Sequence, residues 1–486
     1  MSEHRHINLA QIARETMVEE GFDPDIPATV DQEVGKLNEG GVIANAKARD
    51  LRQLLWSSID NASSRDLDQI EFVEKVGDSF RVLIGIADVD SFAPKGSATD
   101  SYAFENTTSV YTGVKTFPML PEELSTDKSS LVQAQDRLAV VIEMMVNTDG
   151  TVTTGDVFPA LVNNHAKLSY EAIGSWFDAN APLPDEVTRI VNLEQQLRLQ
   201  FEAAKYLGAA RQKHGALRLQ TIQATPVIDE HDQIVEFSSD QQNSAKELIE
   251  NFMVAANGAM AEFLDSKGVI SLRRVVQTPE NWPRIQEIAA ELNETLPDQP
   301  DALALSKFLE KRRIADPERF PDLSLAIVKL LGPGDYVVRI PGQESDGHFG
   351  LAVHRYTHST APNRRYADLI TQRLLKASIS KNGQQYTATE LEKIATHCND
   401  RESAARKVER KMRKVAAAVF MSKRIGDQFK AIVTGVTPKG TFARILKPPV
   451  DGMIVRREHG LKVGQQIQVK LLSTDPEKGF IDFAAL

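Results

Sequence analysis

Cysteine is almost missing from this chain: Cys398 is the only one among 486 residues. No internal disulfide framework and no disulfide-linked partner is therefore expected, and such usage fits a reducing cytosol. No run of about 18 apolar residues occurs, so no segment reads as a membrane-spanning helix. The opening residues Met1, Ser2, Glu3, His4, Arg5 and His6 lack the apolar stretch of a secretory signal. These absences together point to the cytoplasm and to no membrane partner. Cysteine–histidine spacing of the zinc-binding kind is also lacking, so His348, His354 and His358 read as structural residues or hydrogen-bond partners. An excess of positive charge is missing as well. The formal net charge of −10 speaks against nucleic acid as a partner, but only for the whole chain, since it does not say where the cations sit.

What is present is the composition of an ordinary globular protein, 42% hydrophobic and 26% charged. The length exceeds what one hydrophobic core usually serves, and two or three domains are expected. Residues 1–48 read as a helical N-terminal segment: Leu9, Ile12, Ala13 and Met17 fall on one helical face before the breaker GFDPDIP at 21–27. The segment is too short for a nucleic-acid-binding barrel. Residues 49–385 mix strand-like runs, such as 81–87 and 137–146, with amphipathic helices. In one of these, over 245–264, Leu248, Ile249, Phe252, Met253, Ala256 and Met260 form a core stripe. Residues 386–424 read as a helical connector with Val408, Met412, Val415 and Val419 buried. Its basic run Arg406, Lys407, Arg410, Lys411, Arg413 and Lys414 is either a solvated face or a binding surface. From 425 to 486 the texture becomes all-β, with short strands at 430–436, 440–445, 450–454, 466–471 and 479–483. Five strands in so short a span have the size of an OB-fold barrel.

The most informative stretch is SIDNASSRDLDQ at 58–69: Asp60, Asp66 and Asp68 lie within nine residues, among Ser, Asn and Ala rather than lysines. Carboxylates brought together on one turn repel unless a hard cation lies between them. Mg²⁺ prefers oxygen ligands and is commonly held by one or two carboxylates, water and substrate phosphate. Spacing alone leaves a metal site and an acidic loop equally open.

Further motifs are spread in order along the chain. They are RDLR at 49–52, GIADV at 85–89, PMLPEELS at 118–125, ENFMVAAN at 250–257, FGL at 349–351 and YTHSTAPNRRYADL at 356–369. With the carboxylate stretch, these blocks resemble the ribonuclease II/R (RNB-domain) family from about residue 49 to the C-terminus. The resemblance implies an α/β (α+β) RNB-type catalytic domain and a C-terminal S1-like OB barrel. It also implies a metal-dependent 3′→5′ exoribonuclease that hydrolyses single-stranded RNA to nucleoside 5′-monophosphates. The expected cofactor is Mg²⁺, with Mn²⁺ as a substitute, held by Asp60, Asp66 and Asp68.

The same resemblance assigns Arg364 and Arg365 to phosphate contacts, Arg364 with a catalytic role; a structural ion pair with Asp368 is the plainer reading. Tyr111 matches the tyrosine that stacks on the 3′-terminal nucleotide, and Glu409 a glutamate near the substrate end. In the barrel, Phe429, Phe442, Lys439 and Arg444 are candidates for the RNA surface, although either phenylalanine also suits the core. The chain departs from the pattern in several places. Gln69 stands where the family has a fourth aspartate, so it enters the metal set only as a neutral oxygen, and Glu71, on the same side of a strand, is a candidate to help. Ala361 and Asn363 replace the usual serine and isoleucine. The short form lacks the two cold-shock barrels. Gln69 and those missing barrels support an alternative, a catalytically weak or inactive RNA-binding relative.

Overall fold

In a computed structural model, the described residues are 7–486 apart from 39, 41, 44–46, 180, 222–223, 230–233, 240–241, 344–346 and 381–384. Residues 1–6, read above for a missing secretory signal, lie outside them.

The region from 49 to 385 is built on a sheet of six strands. Trp56–Asp60 and Gln69–Val76 run antiparallel, then Ser79–Ala87 and Asp136–Val146 follow, each antiparallel to its predecessor in the sheet. The long strand Val152–Ser169 pairs with Asp136–Val146 on one side and, in parallel, with Trp56–Asp60 on the other. These pairings close five strands into a ring, and the short strand Arg49–Asp50 is added outside it. Closure explains the apolar run 82–87 within strand Ser79–Ala87: Val82, Leu83, Ile84 and Ile86 are all buried, because this part of the strand has no wet face. Helices Leu193–Lys213, Ser244–Ser266 and Tyr366–Ser380 contribute Leu197, Phe252 and Ile370 to the same core. A second small core, around Trp282, Phe308 and Phe320, belongs to helices Trp282–Glu291, Ala302–Ala315 and Phe320–Leu331.

The connector is one helix, Ala388–Ser422, of 35 residues. It begins at a capping box in which Thr387 and Glu390 satisfy each other's backbone N–H. Its first half sends Leu391, Ile394 and Cys398 into the catalytic core. Its second half sends Ala405, Val408, Met412 and Val415 into a core shared with the barrel. Helix Leu9–Glu19 joins the core shared with the barrel through Leu9, Ala13 and Met17. Part of the basic run is answered by this helix and the turn after it: Lys411 pairs with Glu19 at 2.7 Å and Lys407 with Glu20 at 3.6 Å.

The C-terminal strands Gln428–Thr437, Gly440–Ile445, Val450–Arg456, Gln466–Asp475 and Phe480–Ala485 form a closed five-stranded barrel. Two sequence expectations are corrected here. Phe429 is buried in the barrel core, with the Arg424 guanidinium 4.6 Å above its ring, and offers no face to a base. Arg444 is committed to Asp322 and Asp451, both at 3.2 Å, and ties the barrel to helix Phe320–Leu331.

Candidate active site

The carboxylates collect where two strands meet a loop. Asp60 ends strand Trp56–Asp60, Gln69 opens Gln69–Val76, and Asp66 and Asp68 lie between. Asp60 Oδ1 accepts from Asn61 N at 2.7 Å and Ser64 Oγ at 3.0 Å, while burial still holds its carboxyl above the ordinary value. Asp68 is 3% exposed, and burial pushes its pKa up to about 7 against the opposing pull of Arg364 and the Asn363 N–H. Asn363 N donates to Asp68 Oδ1 at 3.1 Å, and Arg364 Nε stands 3.4 Å from Oδ2.

The arginines sit on the turn just before helix Tyr366–Ser380, whose first turn contains the buried Asp368. Arg365 takes the ion pair that is the plainer reading: its guanidinium meets Asp368 at 2.7 Å, and its side chain is 24% exposed. Asp368 Oδ1 also accepts from Ala361 N, so this pair braces the motif. Arg364 remains 44% exposed on its side chain and faces the carboxylates.

Tyr111 is 43% exposed and bridges the site. Its hydroxyl donates to Asp66 Oδ2 at 3.3 Å, and its backbone N–H donates to Glu409 Oε1 at 3.2 Å. Ser109, two residues earlier, donates from its backbone to Arg364 O at 3.0 Å, which locks the tyrosine segment to the arginine turn. Beneath them lies a cavity of about 190 Å³ lined by residues including Ser109, Tyr111, Tyr336, His358, Arg364, Arg365 and Glu409. His358 serves there as a hydrogen-bond partner, its Nδ1 2.8 Å from the Tyr336 hydroxyl. Burial pushes the Glu409 carboxyl up.

Gln69 is half-buried. Glu71 shares its strand face but points into the core: it pairs across the sheet with Ser57 and is fully buried. Gln200, from the covering helix, donates to Ser57 Oγ at 3.1 Å and Glu71 O at 3.2 Å. Among the described residues neither Glu71 carboxylate oxygen has a hydrogen-bond partner. Phe442 is half-buried and Lys439 exposed on the barrel. Nothing in the sequence separates the buried Phe429 from Phe480, which is 57% exposed.

A closed RNB-type sheet carrying aspartates at its rim, an arginine turn facing them and an OB barrel beyond define the class. Residues 48–381 match the RNB domain family, and residues 427–486 match the RNase II-type exonuclease C-terminal S1 domain. The chain is 30% identical to ribonuclease R of Thermotoga maritima over 473 residues, covering 90% of this chain and 64% of that protein. Against ribonuclease R of Escherichia coli it is 30% identical over 446 residues, covering 88% of this chain and 54% of that one. It thus spans roughly half to two thirds of these relatives. The structure of Mycoplasma genitalium RNase R in complex with ribose methylated single-stranded RNA superposes with a TM-score of 0.89 at 25% identity, covering 98% of this chain and 78% of that one. The protein belongs to the RNB family, the ribonuclease II/R group.

Members of that group are metal-dependent, and the donor set here suits a hard cation: it is all oxygen, and burial first, with the neighbouring Asp66 carboxylate adding to it, raises Asp60 and Asp68. Among the described residues no three His, Cys, Asp or Glu side chains converge to cage an ion by themselves.

Proposed function

We propose that the protein is a 3′→5′ exoribonuclease that shortens single-stranded RNA and releases nucleoside 5′-monophosphates, with Mg²⁺ or Mn²⁺ as cofactor. The observation that carries this reading is the coupling of Tyr111 to Asp66 at its hydroxyl and to Glu409 at its backbone, beside the Asp68–Arg364 pair. The sequence-tolerant part is Tyr111, whose ring offers a stacking surface to any terminal base. Arg364 faces the phosphodiester, where its guanidinium stabilises charge developing on the phosphate oxygens. Asp60, Asp66 and Asp68, with the neutral oxygen of Gln69, would hold the cation. When bound, it supplies activation of water and neutralisation of phosphate charge. Hydrolysis breaks the bond between phosphorus and the upstream 3′ oxygen, leaving a 3′-hydroxyl on the shortened strand. Contacts to the 2′-hydroxyl give preference for RNA over DNA.

The RNA named with the M. genitalium structure supports an RNA path in this chain, and no described helix is long and apolar enough to cross a membrane. A cytoplasmic location is part of the same proposal. Gln69 favours the second reading, an RNA-binding relative with weak or absent hydrolysis. End-labelled RNA incubated with purified protein, with and without Mg²⁺ or Mn²⁺, separates the two. A metal-dependent ladder of single-nucleotide steps is expected; binding without shortening at any metal concentration would establish the second reading.

A further inference from the structure

The loop that carries Asp66 and Asp68 is stitched from behind by a segment more than sixty residues away in sequence. Leu67 N donates to Ser130 Oγ at 2.9 Å, Ser130 Oγ donates to Arg65 O at 2.7 Å, and Leu131 N donates to Leu67 O at 3.0 Å. The neighbouring Ser129 turns the other way. Its hydroxyl lies 2.6 Å from Asn363 Oδ1 and 2.8 Å from Leu124 O. Asn363 in turn gives its backbone N–H to Asp68 Oδ1 at 3.1 Å. A circuit results, running from Asp68 through Asn363 and Ser129 to Ser130, and back through Leu67 to Asp68. Ser129, Ser130, Asn363 and Asp68 are all buried, with exposures of 2%, 0%, 1% and 3%.

Asn363 is an odd residue for this position if packing were its purpose. Among the described residues its Nδ2 has no partner, although the atom is buried. Turning the amide over would offer Nδ2 to Ser129 and leave Oδ1 without a partner instead, so one polar end goes unmet in either orientation. A buried, half-satisfied amide destabilises the fold relative to an apolar side chain of the same shape. The gain must lie in direction: the Ser129 bond fixes the turn whose N–H meets Asp68. Asn363 is also where this sequence departs from the isoleucine of its family, one residue before Arg364.

We propose that Ser129 and Asn363 form a positioning pair for Asp68, fixing the N–H that Oδ1 accepts and thereby the direction in which Oδ2 faces Arg364 and the reacting phosphate. The proposal rests on the exoribonuclease reading for what Asp68 does, but not for the pair's effect on where Asp68 lies. Groups that hydrogen-bond a metal-binding side chain typically contribute about 10–100-fold in metal affinity or activity.

The test is a double-mutant cycle in the full chain with Ser129→Ala and Asn363→Leu, which keeps shape and backbone N–H, and with Ser129→Thr as the conservative control. Three readouts are followed: kcat and KM on an end-labelled oligoribonucleotide, melting temperature, and the Mg²⁺ midpoint of the thermal shift without RNA. Each single variant should lower kcat about tenfold, leave KM within about twofold, and raise the Mg²⁺ midpoint about tenfold. The double variant should be no worse than the singles, and Ser129→Thr should stay near wild type. Additive losses, or a changed melting temperature with unchanged kcat and midpoint, would overturn the pair and leave it a packing contact. Should Asn363→Leu fail to fold, Ser129→Ala against Ser129→Thr decides on the same readouts. A wild type that binds Mg²⁺ but never cleaves RNA refutes the exoribonuclease reading; the pair then stands or falls on the Mg²⁺ midpoint.

Discussion

Replacing Glu71 with methionine is expected to stabilise this protein at neutral pH. The carboxyl is fully buried, no described group donates to either oxygen, and its charged neighbour is another carboxylate, Asp60. Burial first, and Asp60 second, hold its pKa well above the ordinary 4.5. Leaving a buried polar group unsatisfied costs about 1–3 kcal/mol, and methionine of similar length removes that cost. Proton linkage adds a second contribution whose sign is definite. Between 4.5 and the raised folded value, the folded chain carries one proton that the unfolded chain has lost, so stability falls as pH rises. The slope in that window is about 1.4 kcal/mol per pH unit. The gain from Glu71→Met should therefore be smallest near the ordinary carboxyl value and grow toward neutrality. In a domain larger than about 250 residues each kcal/mol moves the melting temperature by about 1–2 °C. Melting curves of both proteins from pH 5 to 8, without metal, measure this directly. A variant less stable than wild type, or a gain that does not change with pH, would refute the reasoning. A Mg²⁺-dependent rise in melting temperature that is present in wild type and lost in the variant would instead return Glu71 to the metal, as its strand position first suggested.

Three further outcomes follow from the site. Asp68→Asn should abolish hydrolysis while RNA affinity in a gel-shift assay stays within about threefold, because the amide keeps the Asn363 contact but loses the charge; normal turnover at saturating Mg²⁺ would remove Asp68 from the chemistry. Tyr111→Ala should leave a longer final product on a sequencing gel, since base stacking contributes about 1–3 kcal/mol per base once few nucleotides remain bound; an unchanged ladder bottom would count against the clamp. Gln69→Asp should lower the Mg²⁺ concentration for half-maximal hydrolysis, because a carboxylate offers the cation charge where the amide offers a dipole; an unchanged or higher requirement in a well-folded variant would mean that the surroundings have adapted to glutamine.

Elements with strong local signals were legible in the sequence. The apolar runs gave the central strands, and the stripe through Val408, Met412 and Val415 gave the second half of the connector helix. The family resemblance marked Asp66, Asp68, Tyr111 and Arg364 as candidates one by one, and the pairing of Asp68 with Arg364 and of Tyr111 with Asp66 comes from the structure. What local pattern does not carry is the direction of a side chain across a sheet or barrel. Phe429 and Phe480 are alike in composition and opposite in exposure, because burial depends on closure of the barrel. Glu71 follows Gln69 in alternation, yet whether that face meets the site or the core is set by helix Leu193–Lys213, more than a hundred residues later. The Ser129 and Ser130 contacts had no signal at all, since isolated serines are commonplace and only the returning chain gives these two their partners.

The connector helix has a consequence for how the two ends of the protein communicate. At 1.5 Å per residue its 35 residues make a rod of about 50 Å. The catalytic core grips one end, the barrel the other, and Glu409 reaches from its middle to the backbone of Tyr111. An unbroken helix transmits axial displacement better than a flexible linker does. Tension on the barrel from a strand being drawn inward would therefore arrive at the tyrosine as a shift along the rod. On this geometry the barrel and the Tyr111 segment are two points on one rigid helix rather than modules on a tether.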